Sequence, residues 1–396
     1  MMNTNHTPIS ENDRIHSLDM IRGFALLGIF LVNMSSFHSP VLYKGAFEKA
    51  EGMNQLIINF INFFAQASFY TLFSFLFGYG IIIFLDRAKA KGLNYKQLFI
   101  RRLIVLLIIG ILHAFFIWHG DILITYAIIG FMVLAFYPVK SRTLLTSGLL
   151  ILLIPAILFS ALLFLASFVT PDAAWPRDTV MFNQSLETYS SGTFLEITEQ
   201  RIEDWYSVNN LGNAFFLITS ILPLFLLGAY VAKEKWFSQV ERHKKSIFFM
   251  WIISLVIGVP AKLLPFLVTE NIASEFIQDS IGGPAMALFY GTSIVLLVEK
   301  KVWRKFLQPF AYVGRLSLTN YLLQSIICTF IFYSYGLGYY GQTSHIEGLF
   351  ITVGIYMVQI VLSYFWLKHF HYGPMEWLWR SLTYGKTQKL RREIKE

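Results

Sequence analysis

Cysteine is almost absent: Cys328 stands alone, inside an apolar segment. A single thiol excludes an intramolecular disulfide framework and any cysteine metal cluster, and leaves Cys328 as a small buried apolar side chain. Charge is scarce as well. Asp, Glu, Lys and Arg make up 14% of the chain, against about a quarter in an average soluble domain, while 55% of residues are hydrophobic and 17% aromatic. Soluble-enzyme signatures are missing: no phosphate-binding glycine loop, no nucleophile elbow and no zinc-helix pattern can be found, and no metal is expected. The formal net charge of +8 does not point to nucleic acid, because the basic residues fall almost entirely in short loops on one side of the predicted layout.

What the chain does have is apolar runs of transmembrane length. They predict an all-α polytopic transmembrane bundle of about ten helices, over 17–37, 60–85, 102–118, 121–138, 143–169, 211–232, 246–268, 277–298, 311–334 and 346–367. The connections 86–101, 139–142, 233–245 and 299–305 and the tail 368–396 are rich in Lys and Arg. The intervening loops 38–59, 170–210, 269–276 and 335–345 carry only Lys44, Lys49, Arg177 and Arg201. Alternation of this kind predicts both termini in the cytoplasm of a cell whose plasma membrane holds the bundle. The expected organisation is a polar tail 1–16, one membrane domain 17–367 and a basic cytoplasmic tail 368–396. No small-residue cleavage site follows the first apolar run, which is therefore expected to remain as an anchor. The loop 171–210 carries seven acids (Asp172, Asp178, Glu187, Glu196, Glu199, Glu203, Asp204) and separates two groups of five helices, a layout compatible with transport. The stretch Tyr43 to Phe64 mixes charge and apolar residues and is expected to lie partly in the interface before the second helix enters.

Polar residues at membrane depth are costly, about 2.5–3.5 kcal/mol each on insertion scales, and so face a bundle interior or an aqueous cavity. Four groups stand out. On the first helix, 100° per residue brings Asp19, Arg22, Leu26, Ile29 and Asn33 onto one stripe, with Arg22 and Asn33 about 16 Å apart along the axis. Asp19 and Arg22 read either as an ion pair at the helix start or as cavity lining. The second group is Arg101 and Arg102, leading into a helix that carries His113 and ends at His119-Gly120-Asp121. Arginines there serve as ordinary anchors or as holders of phosphate, and a carboxylate beside His119 would fix an imidazole tautomer for base catalysis. His38, just past the first helix, is a further candidate. Third, Asn320 and Gln324 share a face and are expected to adhere to a neighbouring helix. Fourth, the tail His369 to Arg380 reads as an interfacial helix with tryptophan anchors and a Glu376–Arg380 pair.

Several of these stretches resemble a known group. Ser17-Leu18-Asp19-Met20-Ile21-Arg22-Gly23-Phe24-Ala25 is similar to the opening signature of the transmembrane acyltransferase superfamily. Phe73-Ser74-Phe75-Leu76-Phe77-Gly78-Tyr79-Gly80, His119-Gly120-Asp121-Ile122-Leu123 with Tyr126-Ala127, Arg315-Leu316-Ser317-Leu318-Thr319-Asn320-Tyr321 and Gly373-Pro374-Met375-Glu376-Trp377-Leu378-Trp379-Arg380 resemble the hallmarks of the YeiB-type bacterial membrane proteins, a family of unknown function. The resemblance implies a bundle of about ten helices. By superfamily analogy it implies transfer of an acyl group from a cytoplasmic acyl-coenzyme A to a small-molecule or envelope acceptor outside. The chain departs from the best-known acyltransferase branch, which has a histidine where Asn33 stands, and asparagine is no general base. The lysosomal heparan-sulfate acetyltransferase branch resembles this chain in having asparagine there, with its histidine elsewhere. The expectation is therefore that Arg22, Arg101 and Arg102, with Asp19 and Asn33, engage the donor. His119 with Asp121, or His113 or His38, would then activate the acceptor. The alternatives are a transporter or permease, whose stripe lines a pathway, and a scaffold or sensor that uses the acidic loop.

Overall fold

The computed structural model of the chain describes residues 14–45, 50–170, 177–268 and 271–392. Residues 1–13 of the polar tail, Glu48 and Lys49, Asp172 of the acidic loop and residues 393–396 lie outside them.

The described chain is helical almost throughout. In order come α1 His16–His38, α2 Met53–Phe64, α3 Ser68–Ala90, α4 Tyr95–Phe116, α5 Leu123–Phe136, α6 Ser141–Ser167, α7 Thr179–Ser191 and α8 Phe194–Asn209. There follow α9 Leu211–Lys233, α10 Val240–Leu267, α11 Ile272–Ile277, α12 Gly283–Val298, α13 Lys301–Arg315, α14 Ser317–Phe332, α15 His345–His369 and α16 Pro374–Tyr384. Eight helical stretches are long and apolar enough to cross a membrane, and the shorter apolar helices α5 and α14 complete the ten places expected. The protein is an all-α, multi-pass integral membrane protein.

Burial sorts these helices into centre and rim. Of the most apolar window in α2–α3, 67% is buried inside the protein, whereas in α6 the figure is 11% and in α10 it is 22%. Since lipid is as apolar as leucine, α6 and α10 can leave their large side chains outside while α1, α3, α4 and α9 fill the core. Small residues let the central helices touch. A Cβ on Gly23 would strike the Phe310 carbonyl and one on Gly314 the Asp19 carbonyl, so α1 and α13 meet backbone to backbone; Gly78 and Gly228 do the same for α3 and α9.

Two predicted helices are broken. The run 60–85 divides at Ala65–Ala67, where Ala67 adopts φ +56° between the end of α2 and the start of α3. The carbonyls freed there are not left bare: the buried Lys262 ammonium of α10 donates to Gln66 O (2.5 Å) and Asn62 O (3.3 Å), with Asp279 Oδ1 3.8 Å away. Irregular backbone at membrane depth survives when protein satisfies it in this way. The run 311–334 divides at Leu316 (φ −114°, ψ +34°), so Gly314 and Arg315 close α13 and Ser317 opens α14. Glu376 of α16 makes this break possible. Its carboxylate accepts from Leu318 N (2.7 Å), Thr319 N (3.1 Å) and Thr319 Oγ1 (2.5 Å), capping the first turn of α14 from 58 residues away. Glu376 therefore faces α14 instead of forming the predicted i,i+4 pair with Arg380, whose guanidinium stacks on Tyr372. As expected, Asn320 and Gln324 adhere to α15, through Ser363 Oγ (3.1 Å) and Gln359 Oε1 (2.9 Å).

Candidate functional site

A cavity of about 590 Å³ enters the bundle from the end that carries the Lys- and Arg-rich connections. Its mouth is cationic. Arg14 comes from just before α1 and Arg22 from α1, Arg87 from the end of α3 and Lys91 from just after it, Arg102 from α4, Arg315 from α13, and Arg380 and Arg392 from α16 and the segment after it; the carboxylates among the lining are Asp19 and Glu376. Asp19 is buried and pairs with two of these cations, its Oδ1 accepting from Arg22 Nη1 at 3.1 Å and its Oδ2 lying 2.7 Å from Arg14 Nε as an ion pair. Arg102 is fixed differently, its guanidinium 3.6 Å from the Trp379 ring centroid and 4.8 Å from that of Phe84, while Trp379 Nε1 donates to Arg102 O. Burial raises the pKa of Glu376 above the ordinary carboxylate range, against the pull of its hydrogen bonds from Thr319 and Leu318. Deeper in, the walls turn apolar: Leu26 and Ile29 of α1, Leu76 and Phe77 of α3, Leu106 of α4, then Leu123, Tyr126 and Tyr321.

Tyr321 stands between this vestibule and a buried polar cluster. Its ring packs on His113 with centroids 5.1 Å apart, and its hydroxyl donates to Gly120 O at 3.3 Å. His113 sits near the end of α4, where Ile117 N and Trp118 N both turn back onto its carbonyl. Asp121 follows in the turn that leads to α5, and its Oδ2 accepts the Ile124 N–H (2.8 Å). Its other oxygen lies 2.8 Å from His113 Nδ1, and His113 Nε2 lies 2.9 Å from Ser325 Oγ of α14. With an ionised carboxylate, which only accepts, the Nδ1 proton would be on His113 and Nε2 free to accept from the serine hydroxyl. The exposures of His113, Asp121 and Ser325 are 1%, 7% and 1%, which shuts bulk water out of the cluster.

The opposite end of the bundle is closed by a cap built from α7, α8 and the turn after α14. Asp204 is its hub, accepting from Tyr43 Oη (2.7 Å), Tyr189 Oη (2.6 Å) and Gln200 Nε2 (2.7 Å). Burial pushes both phenols well above the ordinary tyrosine pKa, so they stay protonated donors. Tyr189 stacks on Tyr333 and Tyr340, with centroids 4.4 and 5.0 Å away. The fully buried Arg201 donates to Phe116 O (3.1 Å) and Tyr335 Oη (3.1 Å). His119 belongs to this cap, 3.5 Å from Asp204 Oδ2 and 3.4 Å from Tyr189 Oη. Burial lowers its pKa below the usual imidazole value, outweighing the attraction of Asp204, so it is neutral at pH 7. His38 is buried here too, beside Phe332 and His345, and neither ring nitrogen has a hydrogen-bond partner.

Over 405 aligned positions the chain is 39% identical to "Uncharacterized protein YxaH" of Bacillus subtilis (strain 168), covering 98% of both chains. It is 27% identical to "Uncharacterized protein YeiB" of Escherichia coli (strain K12), over 94% of this chain and 96% of that one. The family model described as "Protein of unknown function (DUF418)" matches residues 231–386. The chain belongs to the YeiB-type family of unknown function. That matched segment contains Ser325 and Glu376, whereas α1 and the His113 turn lie upstream of it.

In this YeiB-type chain the predicted residues fall into four places. Asp19, Arg22 and Arg102 line the vestibule together. Arg101 is exposed on α4 and Asn33 half-buried on α1, both outside the vestibule lining. The expected His119–Asp121 pair does not form: the Asp121 N–H turns back onto His119 O (2.8 Å), Asp121 takes His113, and His119 takes Asp204. His38 lies in the cap. Three residues escaped the sequence reading. Ser325 was visible only as the next turn after Asn320 and Tyr321, Glu376 was assigned to a local pair, and Lys262 stood unremarked inside an apolar helix.

Proposed function

We propose that this membrane protein moves an acyl group from a cytoplasmic acyl-coenzyme A to a hydroxyl or amine acceptor of the cell envelope, with the vestibule mouth facing the cytoplasm of a plasma membrane. The observation that carries the reading is the polarity of the vestibule. Its mouth is cationic, as the phosphates of coenzyme A require, and its depth is apolar and ends at Tyr321 against His113. Arg22, positioned by Asp19, and Arg102, positioned by Trp379, are the natural phosphate contacts. His113 serves as the base of the transfer, with Asp121 fixing its tautomer and stabilising the imidazolium that forms. His119 and His38 hold the cap instead. The positive-inside charge sorting supports the orientation.

Saturable binding of radiolabelled acyl-coenzyme A to the purified protein in nanodiscs tests this reading. Arg22→Ala and Arg102→Ala should each weaken binding roughly tenfold or more, the worth of one charge-assisted hydrogen bond, and added salt should weaken it further. Folded protein that binds no acyl-coenzyme A, or binds it equally well in both variants, overturns the reading. An acyl compound carried unchanged across sealed vesicles would make the protein a permease.

A further inference from the structure

We propose that Ser325 is a nucleophile that carries the acyl group as a serine ester between donor and acceptor. The serine, His113 and Asp121 form one chain of polar contacts, Ser325 Oγ to His113 Nε2 at 2.9 Å and His113 Nδ1 to Asp121 Oδ1 at 2.8 Å, with Tyr321 O, at 3.5 Å, the other acceptor within reach of the serine hydroxyl. Asp121 is itself fixed by the Ile124 N–H at 2.8 Å. This is the order of groups by which a hydroxyl is activated: nucleophile, base, and a carboxylate that orients the base. Helix adhesion does not call for such a set. The contacts that bind α14 to α15 are amide and hydroxyl pairs, Asn320 to Ser363 and Gln324 to Gln359, with no titratable member.

Position adds a second argument. Leu318 and Tyr321 of α14 line the vestibule, and Ser325 continues the same helical face one turn, about 6 Å, beyond Tyr321. The serine therefore lies just past the apolar depth of the vestibule, where the thioester carbonyl of a donor whose phosphates stay at the cationic mouth must arrive. With water excluded, an ester formed there is shielded from hydrolysis.

The chemistry balances without any further reagent. Ser325 Oγ attacks the thioester carbonyl carbon while its proton passes to His113 Nε2. The carbon–sulfur bond then breaks, the His113 proton goes to the departing sulfur, and free coenzyme A leaves behind acyl-O-Ser325. In the second half, an acceptor hydroxyl or amine gives its proton to His113 and attacks the ester carbonyl. The carbon–Oγ bond breaks, the acylated acceptor departs, and the proton returns to Ser325.

The identity of the acyl donor rests on the function proposed above, but the nucleophile does not, and the test separates them. The full-length protein in nanodiscs is treated in parallel with a fluorophosphonate probe and with radiolabelled acyl-coenzyme A, and the modified peptide is read by mass spectrometry. The expected result is a covalent adduct on Ser325 with either probe, lost in Ser325→Ala and slowed at least about tenfold in His113→Ala. Ser363→Ala, an adhesion serine, should label like the parent protein. Melting curves confirm that each variant is folded, and Ser325→Cys, which keeps a nucleophile, should still take up the acyl group if Ser325→Ala proves unstable. Fluorophosphonate labelling without any acyl-coenzyme A binding keeps the nucleophile and discards the donor. Folded protein that takes neither label on Ser325, or transfers acyl groups at the parent rate in Ser325→Ala, overturns the proposal.

Discussion

At the scale of single residues, two histidines six positions apart have opposite fates because the turn after α4 points them apart. His113 looks into the bundle and holds Asp121 and Ser325; His119 looks into the cap and meets Asp204. Replacing Asp121 by Asn keeps the shape of the carboxylate but offers an N–H where the Nδ1 proton needs an acceptor, so His113 turns to the other tautomer and loses its lone pair toward Ser325. Asp121→Asn should therefore slow covalent labelling of Ser325 by about a hundredfold or more while the protein still folds. His119 supplies a pH signature. Its native pKa is depressed by burial, so the unfolded chain binds the proton more readily; stability is full above the ordinary imidazole range and is lost as pH falls through it toward the native value. Melting temperatures from pH 8 to pH 5 should drop for the parent protein and drop less for His119→Gln, and equal slopes would remove His119 from the account. The sequence made Asp121, His113 and His119 all candidates, but local spacing favoured the pair two residues apart. Only the turn geometry, set by the Asp121 N–H on His119 O, shows that this pair cannot close.

At the scale of elements, the informative feature is the junction between α13 and α14. The apolar run through 311–334 reads as one helix because neither Pro nor Gly stands at Leu316, and because the charges at Lys300, Lys301, Arg304 and Lys305 look like a loop. In the structure Lys301, Arg304 and Lys305 belong to α13, with Lys300 just before it, and the break is stabilised by Glu376, a residue that no local pattern links to α14. Glu376→Ala leaves two partly buried backbone N–H groups without that acceptor and should cost about 1–3 kcal/mol in thermal or denaturant unfolding. The loss should not add to that of Thr319→Ala, since Thr319 shares the same carboxylate. Gly314→Ala drives a methyl group into the Asp19 carbonyl of α1 and should destabilise by roughly 1–3 kcal/mol, with Arg22 displaced along with Asp19. An unchanged melting temperature for Gly314→Ala would mean that α1 and α13 are not held at backbone contact.

The membrane layout as a whole was the most legible level. Apolar length and alternating charge suffice for it, since both follow from the cost of placing polar groups in lipid and require no knowledge of which helices touch. The vestibule was only half legible: the cations of α1 and α4 announce it, but those of α13 and α16 join it through packing. Orientation can be checked directly, because Cys328 is buried and should be silent toward a membrane-impermeant thiol reagent. In intact cells Glu199→Cys, exposed on α8, should be labelled from outside, and Lys245→Cys, exposed near the start of α10, only after the membrane is opened. The reverse pattern would turn the vestibule toward the exterior.

The position of α16 in the vestibule wall has a consequence for the order of biosynthesis. Trp379, Arg380 and Glu376 follow α15, the last membrane-crossing helix among the described residues, and the segment around Arg392 is tied back to His369 by a backbone hydrogen bond of 2.8 Å. A nascent chain can thus insert α1 to α15 while the cationic cleft still lacks one side. Competence to hold a ligand would appear only when translation has passed α16, as a late step separate from insertion.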